Sequence, residues 1–170
     1  SRSSAASDVY KRQCEDLVFY GDVGTGKTHL AIALVTQACL EGIPARFFTA
    51  AGLVDHLRNA KHAGRLDKEL AALGKNELLV IDELGYIPID TDGARLLFQA
   101  IADAYEQRSL IITTNLAFSQ WGQVFGNDDM AAAAIDRIVH HGRMITFTGQ
   151  SYRMANALSL IHISEPTRPE

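Results

Sequence analysis

The sequence predicts an α/β fold of three layers, with a five-stranded, mostly parallel sheet between helices. Three observations carry this. Short apolar runs rich in Val, Ile, Phe and Thr alternate with amphipathic segments of helical period, the pattern of strands joined by helical crossovers. One run, Leu78-Leu79-Val80-Ile81, is apolar without alternation, as in a parallel strand buried on both faces. The stretch Gly21-Asp22-Val23-Gly24-Thr25-Gly26-Lys27-Thr28 fits G-x-x-x-x-G-K-[ST] between a strand and a helix, the arrangement of a P-loop NTPase.

The elements follow in order. Residues 17–20 form the first strand and run into the glycine loop. A helix over 29–40 leaves it, with Leu30, Ala31, Leu34, Val35 and Ala38 near helical spacing. Gly42-Ile43-Pro44 stops that helix, and 45–49 is the second strand. Thr49 caps a helix over 51–63, Gly64 interrupts it, and 66–73 is a short helix ended by Gly74. After the strand at 78–81 comes a loop, then a helix capped by Asp90 or Thr91 and running to about Gln107. Residues 110–114 are the fourth strand, 119–124 a helical turn around Trp121, 131–141 a helix, and 144–147 the fifth strand.

A chain of 170 residues with 47% hydrophobic content and a formal charge of −4 fits one globular domain without a global basic field. No apolar run approaches the roughly 20 residues of a membrane span, so no membrane partner is expected. Cys14 and Cys39 lack metal spacing, and a cytoplasmic setting is the simple reading. The two ends are a separate matter. A DNA strand encoding Asp8-Val9-Tyr10-Lys11-Arg12-Gln13 can encode, on its reverse complement, Leu158-Ser159-Leu160-Ile161-His162-Ile163. Residues 1–13 and 158–170 therefore read as non-native tails derived from a library adapter, the alternative being natural low-complexity ends. The domain proper is 14–157, expected to be truncated at both sides.

The chemistry concentrates where the strands end, since parallel sheets bind ligands beyond their carboxyl edges; the glycine loop, Asp82-Glu83, Asn115 and the segment after the fifth strand are the candidate ends. Residues Gly21 to Thr28, with His29 at the helix start, form a phosphate cradle. Its glycines let backbone N–H groups converge, and the helix N-terminus adds unpaired N–H groups and partial positive charge. Lys27 can reach the β- and γ-phosphates, and the Thr28 hydroxyl can meet Mg²⁺. Asp82, at the end of an apolar strand, can hold the same Mg²⁺; the alternative is a loop or helix cap. Glu83 is a candidate base for the attacking water, or else a solvated carboxylate. Asn115 can orient that water and touch the γ-phosphate, or simply serve a turn.

Six stretches add a resemblance: 24–31 (Gly-Thr-Gly-Lys-Thr-His-Leu-Ala), 81–86 (Ile-Asp-Glu-Leu-Gly-Tyr), 113–116 (Thr-Thr-Asn-Leu), 118–122 (Phe-Ser-Gln-Trp-Gly), 136–141 (Asp-Arg-Ile-Val-His-His) and 151–153 (Ser-Tyr-Arg). Together they resemble IstB-like ATPases, AAA+ helpers of insertion-sequence transposases related to DnaC-type helicase loaders. The resemblance implies ATP and Mg²⁺ as ligands, ATP hydrolysis, and action on DNA with a cognate transposase. It implies Asn115 as a sensor of the γ-phosphate. It also implies Arg137 as an arginine finger acting in trans within a homo-oligomer, and Arg153 as a second sensing arginine on the nucleotide. On the residues alone, Arg137 can instead pair with a carboxylate on its own helix, and Arg153 can be a solvated tail residue.

Other features are less specific. His140-His141 are adjacent and do not share a helix face, and no Cys or carboxylate cluster has ligand spacing, so a transition-metal site is not expected. Trp121 and Tyr86 read as packing or subunit-contact residues. Region 51–76 sets Arg58, Lys61, Arg65, Lys68 and Lys75 against Asp55, Asp67 and Glu69, which fits either low-specificity DNA contact or a solvated helix face. A helicase loader would use the same nucleotide site. A nucleotide-assembled DNA-binding scaffold with incidental hydrolysis is the alternative of a different class. A small-molecule kinase fits the Asp-Glu pair poorly, and a GTPase lacks an Asn-Lys-x-Asp motif.

Overall fold

The computed structural model describes residues 14–149; both end runs and Arg153 lie outside the described residues. The elements are β1 (Asp16–Gly21), α1 (Lys27–Leu40), β2 (Ala45–Thr49), α2 (Ala50–His62), α3 (Leu66–Leu73), β3 (Leu78–Leu84) and α4 (Thr91–Ala104). They continue with β4 (Ser109–Thr114), a 3-10 turn (Phe118–Gln120), α5 (Gly122–Phe125), α6 (Asp128–His140) and β5 (Gly142–Phe147). The strand order is β2-β3-β4-β1-β5 and every pairing is parallel, so the expectation of a mostly parallel sheet becomes a fully parallel one. At least one helix lies between each strand and the next in sequence, which returns the chain to the same end of the sheet each time.

Alternate strand residues serve opposite faces. Val18, Leu79, Ile81, Leu110 and Ile112 point into a large core shared with α2, α3, α4, α5 and α6, centred on Leu53, Leu57, Leu97, Ile101 and Trp121. Phe19, Leu78, Val80 and Ile111 point the other way and meet α1 through Ala31, Leu34, Val35 and Ala38. One helix thus covers one face and several cover the other. On α1, Leu30, Ile32 and Leu40 remain exposed.

Local chemistry sets the helix limits. The Thr49 and Asp90 side chains accept N–H bonds from Gly52 and Gly93 (both 3.0 Å), as anticipated for caps. Helix α6 begins at Asp128, earlier than the expected 131, because Asn127 accepts from the N–H groups of Asp129 and Met130 at 2.8 and 3.1 Å. Asp128 and Asp129 then sit in the electropositive first turn. Helix α4 stops at Ala104 rather than near Gln107: Tyr105 leaves helical geometry and Glu106 takes a left-handed φ of 59°. Trp121 is fully buried and donates from Nε1 to the Leu116 carbonyl at 3.2 Å, which makes it a packing residue.

Asp16 is a buried carboxylate at the start of β1, 7% exposed. Its Oδ1 accepts from Leu110 N–H at 3.0 Å. Burial pushes its pKa up to about 6, opposed by that hydrogen bond and by His141. The native state therefore holds a proton that the unfolded chain, with a value of 3.8, releases. Stability from this group is greatest below 3.8 and falls as pH rises through about 6. Asp16→Asn is expected to raise stability above pH 6 by about 2–3 kcal/mol and to flatten this part of the pH profile, as read by urea unfolding.

Candidate functional site

Strand β1 delivers the glycine loop against β5. Gly21 pairs with Phe147, and a Cβ on Gly21 would collide with the Phe147 carbonyl oxygen, so this close approach requires glycine. Gly26 holds φ at +98° and caps α1 without any side-chain bond, which leaves the first-turn amides of α1 available to an anion. Lys27 follows, 4% exposed. Its Nζ donates to the carbonyls of Gly21 and Asp22, both at 2.6 Å. Burial lowers its pKa, while the charges of Asp22 and Asp82 oppose that shift. Thr25 Oγ1 donates to the same Asp22 carbonyl at 2.7 Å.

Beside the loop, β3 ends in an irregularity. Ile81 pairs with Ile112 and Leu84 with Thr114, so one extra residue is accommodated on β3 around Asp82-Glu83. Asp82 is 2% exposed and accepts from Thr28 Oγ1 at 2.9 and 3.1 Å. It also accepts a short bond from Thr113 Oγ1. Thr113 Oγ1 in turn accepts from Glu83 N–H at 2.9 Å. Glu83 has φ of 59°, a left-handed conformation costly for a residue with a Cβ, of order 1–3 kcal/mol. Two neighbouring carboxylates are thereby separated: Asp82 is locked against two hydroxyls, and Glu83 lines the open pocket.

That pocket has a volume of about 740 Å³. It is lined by the continuous run Val23 to His29 together with Ile32, Glu83, Tyr86 and Thr148. Gly21, Asp22 and Asp82 do not line it; the first two hold Lys27 through their carbonyls, and Asp82 holds Thr28. Asn115 directly follows β4, the strand between β3 and β1; it does not line the pocket, and its buried Oδ1 has no hydrogen-bond partner among the described residues.

Arg137 is not at this pocket. Its Nη1 donates to the Ala133 carbonyl at 2.9 Å and its guanidinium lies 5.3 Å from the Phe98 ring centre, in place of a carboxylate pair on its own helix. Within region 51–76, Arg58 is engaged by Asp90 at 2.8 and 2.6 Å, and His56 meets Glu69 at 3.1 Å, while Lys61, Arg65, Lys68 and Lys75 are exposed. Three lining residues go beyond those singled out for the site from the sequence. Ile32 lies one turn beyond Thr28; Tyr86, read from the sequence as a packing or subunit-contact residue, lines the pocket instead; and Thr148 belongs to the segment after the fifth strand, one of the strand ends where polar groups are expected. No helix among the described residues is long and apolar enough to cross a membrane.

The fold matches solved AAA+ structures. The chain is similar to the DnaC helicase loader with a TM-score of 0.68 and 24% identity, covering 85% of this chain and 86% of that one. It is similar to the AMPPCP-bound DnaA of Aquifex aeolicus with a TM-score of 0.68 and 17% identity, covering 90% of this chain and 47% of that one. At the sequence level, a protein of insertion sequence IS5376 from Geobacillus stearothermophilus, named for ATP binding, is 41% identical over 140 residues, 82% of this chain and 56% of the relative. A counterpart of insertion sequence IS232 from Bacillus thuringiensis subsp. berliner is 41% identical over 150 residues, 88% of this chain and 60% of the relative. One of insertion sequence IS21 from Pseudomonas aeruginosa is 34% identical over 161 residues, 95% of this chain and 61% of the relative. The chain thus spans somewhat over half the length of these relatives. With its P-loop, its paired strand-end carboxylates and a family match over residues 3–159, the chain belongs to the IstB-like ATP binding protein family of insertion sequences.

Proposed function

We propose that this domain hydrolyses ATP and drives the helper of an insertion-sequence transposase, acting on DNA as a homo-oligomer in the cytoplasm. The division of labour between Asp82 and Glu83 carries this reading: one carboxylate is tied to the Thr28 hydroxyl, while its neighbour is turned by a left-handed backbone into the same pocket.

The donor set fits a hard divalent cation, since Thr28 and Asp82 offer oxygen atoms that already converge within 3.1 Å. When bound, Mg²⁺ supplies neutralising charge to the β- and γ-phosphate oxygens. The amides of the glycine loop and of the first turn of α1 bind the phosphates. Lys27 exchanges its two carbonyl partners for phosphate oxygen. Glu83 takes the proton of the attacking water, and Asn115, whose buried Oδ1 has no partner among the described residues, turns towards that water and orients it. Arg153 acts as a second nucleotide-sensing cation. Arg137, which does not line its own pocket, serves that of the next subunit, where a cation stabilises charge on the transferring phosphoryl group.

Lys61, Arg65, Lys68 and Lys75 form the DNA-facing patch, which predicts binding that weakens with salt. The relatives from insertion sequences favour a transposase partner over the helicase-loading role that the fold also admits. Subunit mixing tests hydrolysis and the trans arginine together. Glu83→Gln and Arg137→Ala variants of the full-length protein are each expected to lose phosphate release. Combined, they should regain it at about a quarter of interfaces, those joining an intact Glu83 to an intact Arg137 across a head-to-tail contact. Recovery absent at every protein concentration contradicts action in trans.

A further inference from the structure

At the opposite end of the sheet from the nucleotide pocket, Glu106, His140 and His141 come together. Glu106 precedes β4, the histidines precede β5, and all three side chains are exposed. One potential ligand atom from each lies within 4.8 Å of the other two, and His141 Nε2 is 3.6 Å from Glu106 Oε1. The adjacent histidines converge because only His140 is helical. His141 leaves α6 at φ −123° and ψ 21°, so the helical rotation that separates neighbouring side chains no longer applies, and the two rings sit 4.4 Å apart at 89°. Glu106 reaches them from its left-handed turn after α4.

The surroundings fix this geometry. The His141 carbonyl accepts from Asp16 N–H at 3.1 Å, anchoring the turn to β1. A Cβ on Gly142 would collide with the Ile138 carbonyl, so the chain must turn tightly there. The Tyr105 ring packs 5.8 Å from His140 and 6.4 Å from His141. The carboxyl end of α6 carries partial negative charge, which favours a cation.

We propose that Glu106, His140 and His141 form a binding site for a first-row transition-metal dication, linking the ends of α4 and α6. Two imidazoles and one carboxylate suit Zn²⁺, Co²⁺, Ni²⁺ or Cu²⁺ better than Mg²⁺ or Ca²⁺. Tetrahedral ligation at about 2.0–2.2 Å places ligand atoms about 3.3 Å apart, a closure that torsions of exposed side chains can supply. Water completes the coordination.

The test is calorimetric titration of the untagged, chelator-treated 170-residue chain with Zn²⁺. The expected result is saturable uptake of one ion per chain. His140→Ala, His141→Ala and Glu106→Gln should each weaken it at least about tenfold, the scale on which even outer-shell changes act. His56→Ala, on α2, should not. Absent saturation, or uptake unchanged in the His140→Ala/His141→Ala double variant, overturns the site. If a variant melts early, the parent decides: a rise in its Tm with Zn²⁺ supports the site, and no rise refutes it.

Discussion

Glu83→Gln is expected to leave ATP affinity within about twofold and to slow phosphate release by about 10²–10⁴-fold, the range over which a positioned general base acts. The substitution keeps the shape and length of the side chain. Its backbone N–H still donates to Thr113 Oγ1, and the strained φ of 59° persists. Only proton acceptance is removed. Measuring nucleotide binding and phosphate release on the same preparation separates this from misfolding, because a collapsed pocket would lose both. Release that continues near the parental rate would move the base elsewhere and revive the scaffold reading, in which nucleotide binding alone does the work.

A second large effect is expected at Asp82. Asp82→Asn removes the charge from a group that accepts from both Thr28 and Thr113, and so removes what would hold a divalent ion beside the phosphates. Hydrolysis should fall at least about 10²-fold, as for other losses of transition-state charge stabilisation. ATP affinity should also cease to depend on Mg²⁺ concentration. Because Asn retains an oxygen acceptor at the Asp82 position, the two threonine hydroxyls are not both orphaned and the fold should survive. A magnesium-dependent affinity equal to the parent's would show that Thr28 and Asp82 do not form the cation site.

Much of this site was legible because its parts are local. The glycine loop is contiguous, its flanking strand and helix are marked by their own periodicity, and Asp82-Glu83 follows an apolar run whose end can be read directly. The left-handed turn at Glu83 was not legible: nothing in Ile81-Asp82-Glu83-Leu84 requires it, and it arises from β3 accommodating an extra residue against β4. Strand order was hidden for the same reason, since it depends on pairings between distant segments. The start of α6 was missed because its cap lies in Asn127, before the apolar pattern begins. Two features of the His140-His141 cluster were likewise hidden in the sequence: only His140 is helical, and the carboxylate that meets the pair, Glu106, is brought in by the fold from a distant segment.

Every proposed step requires the triphosphate of ATP to sit at the glycine loop. Equilibrium binding of labelled ATP with Mg²⁺ to the parent and to Lys27→Ala measures this. The parent should take up one nucleotide per chain saturably, and the variant should show no saturation over the same range, having lost the buried ammonium that donates at 2.6 Å to the loop carbonyls. A parent that takes up no ATP, or a Lys27→Ala variant that binds it equally well, would contradict the assignment.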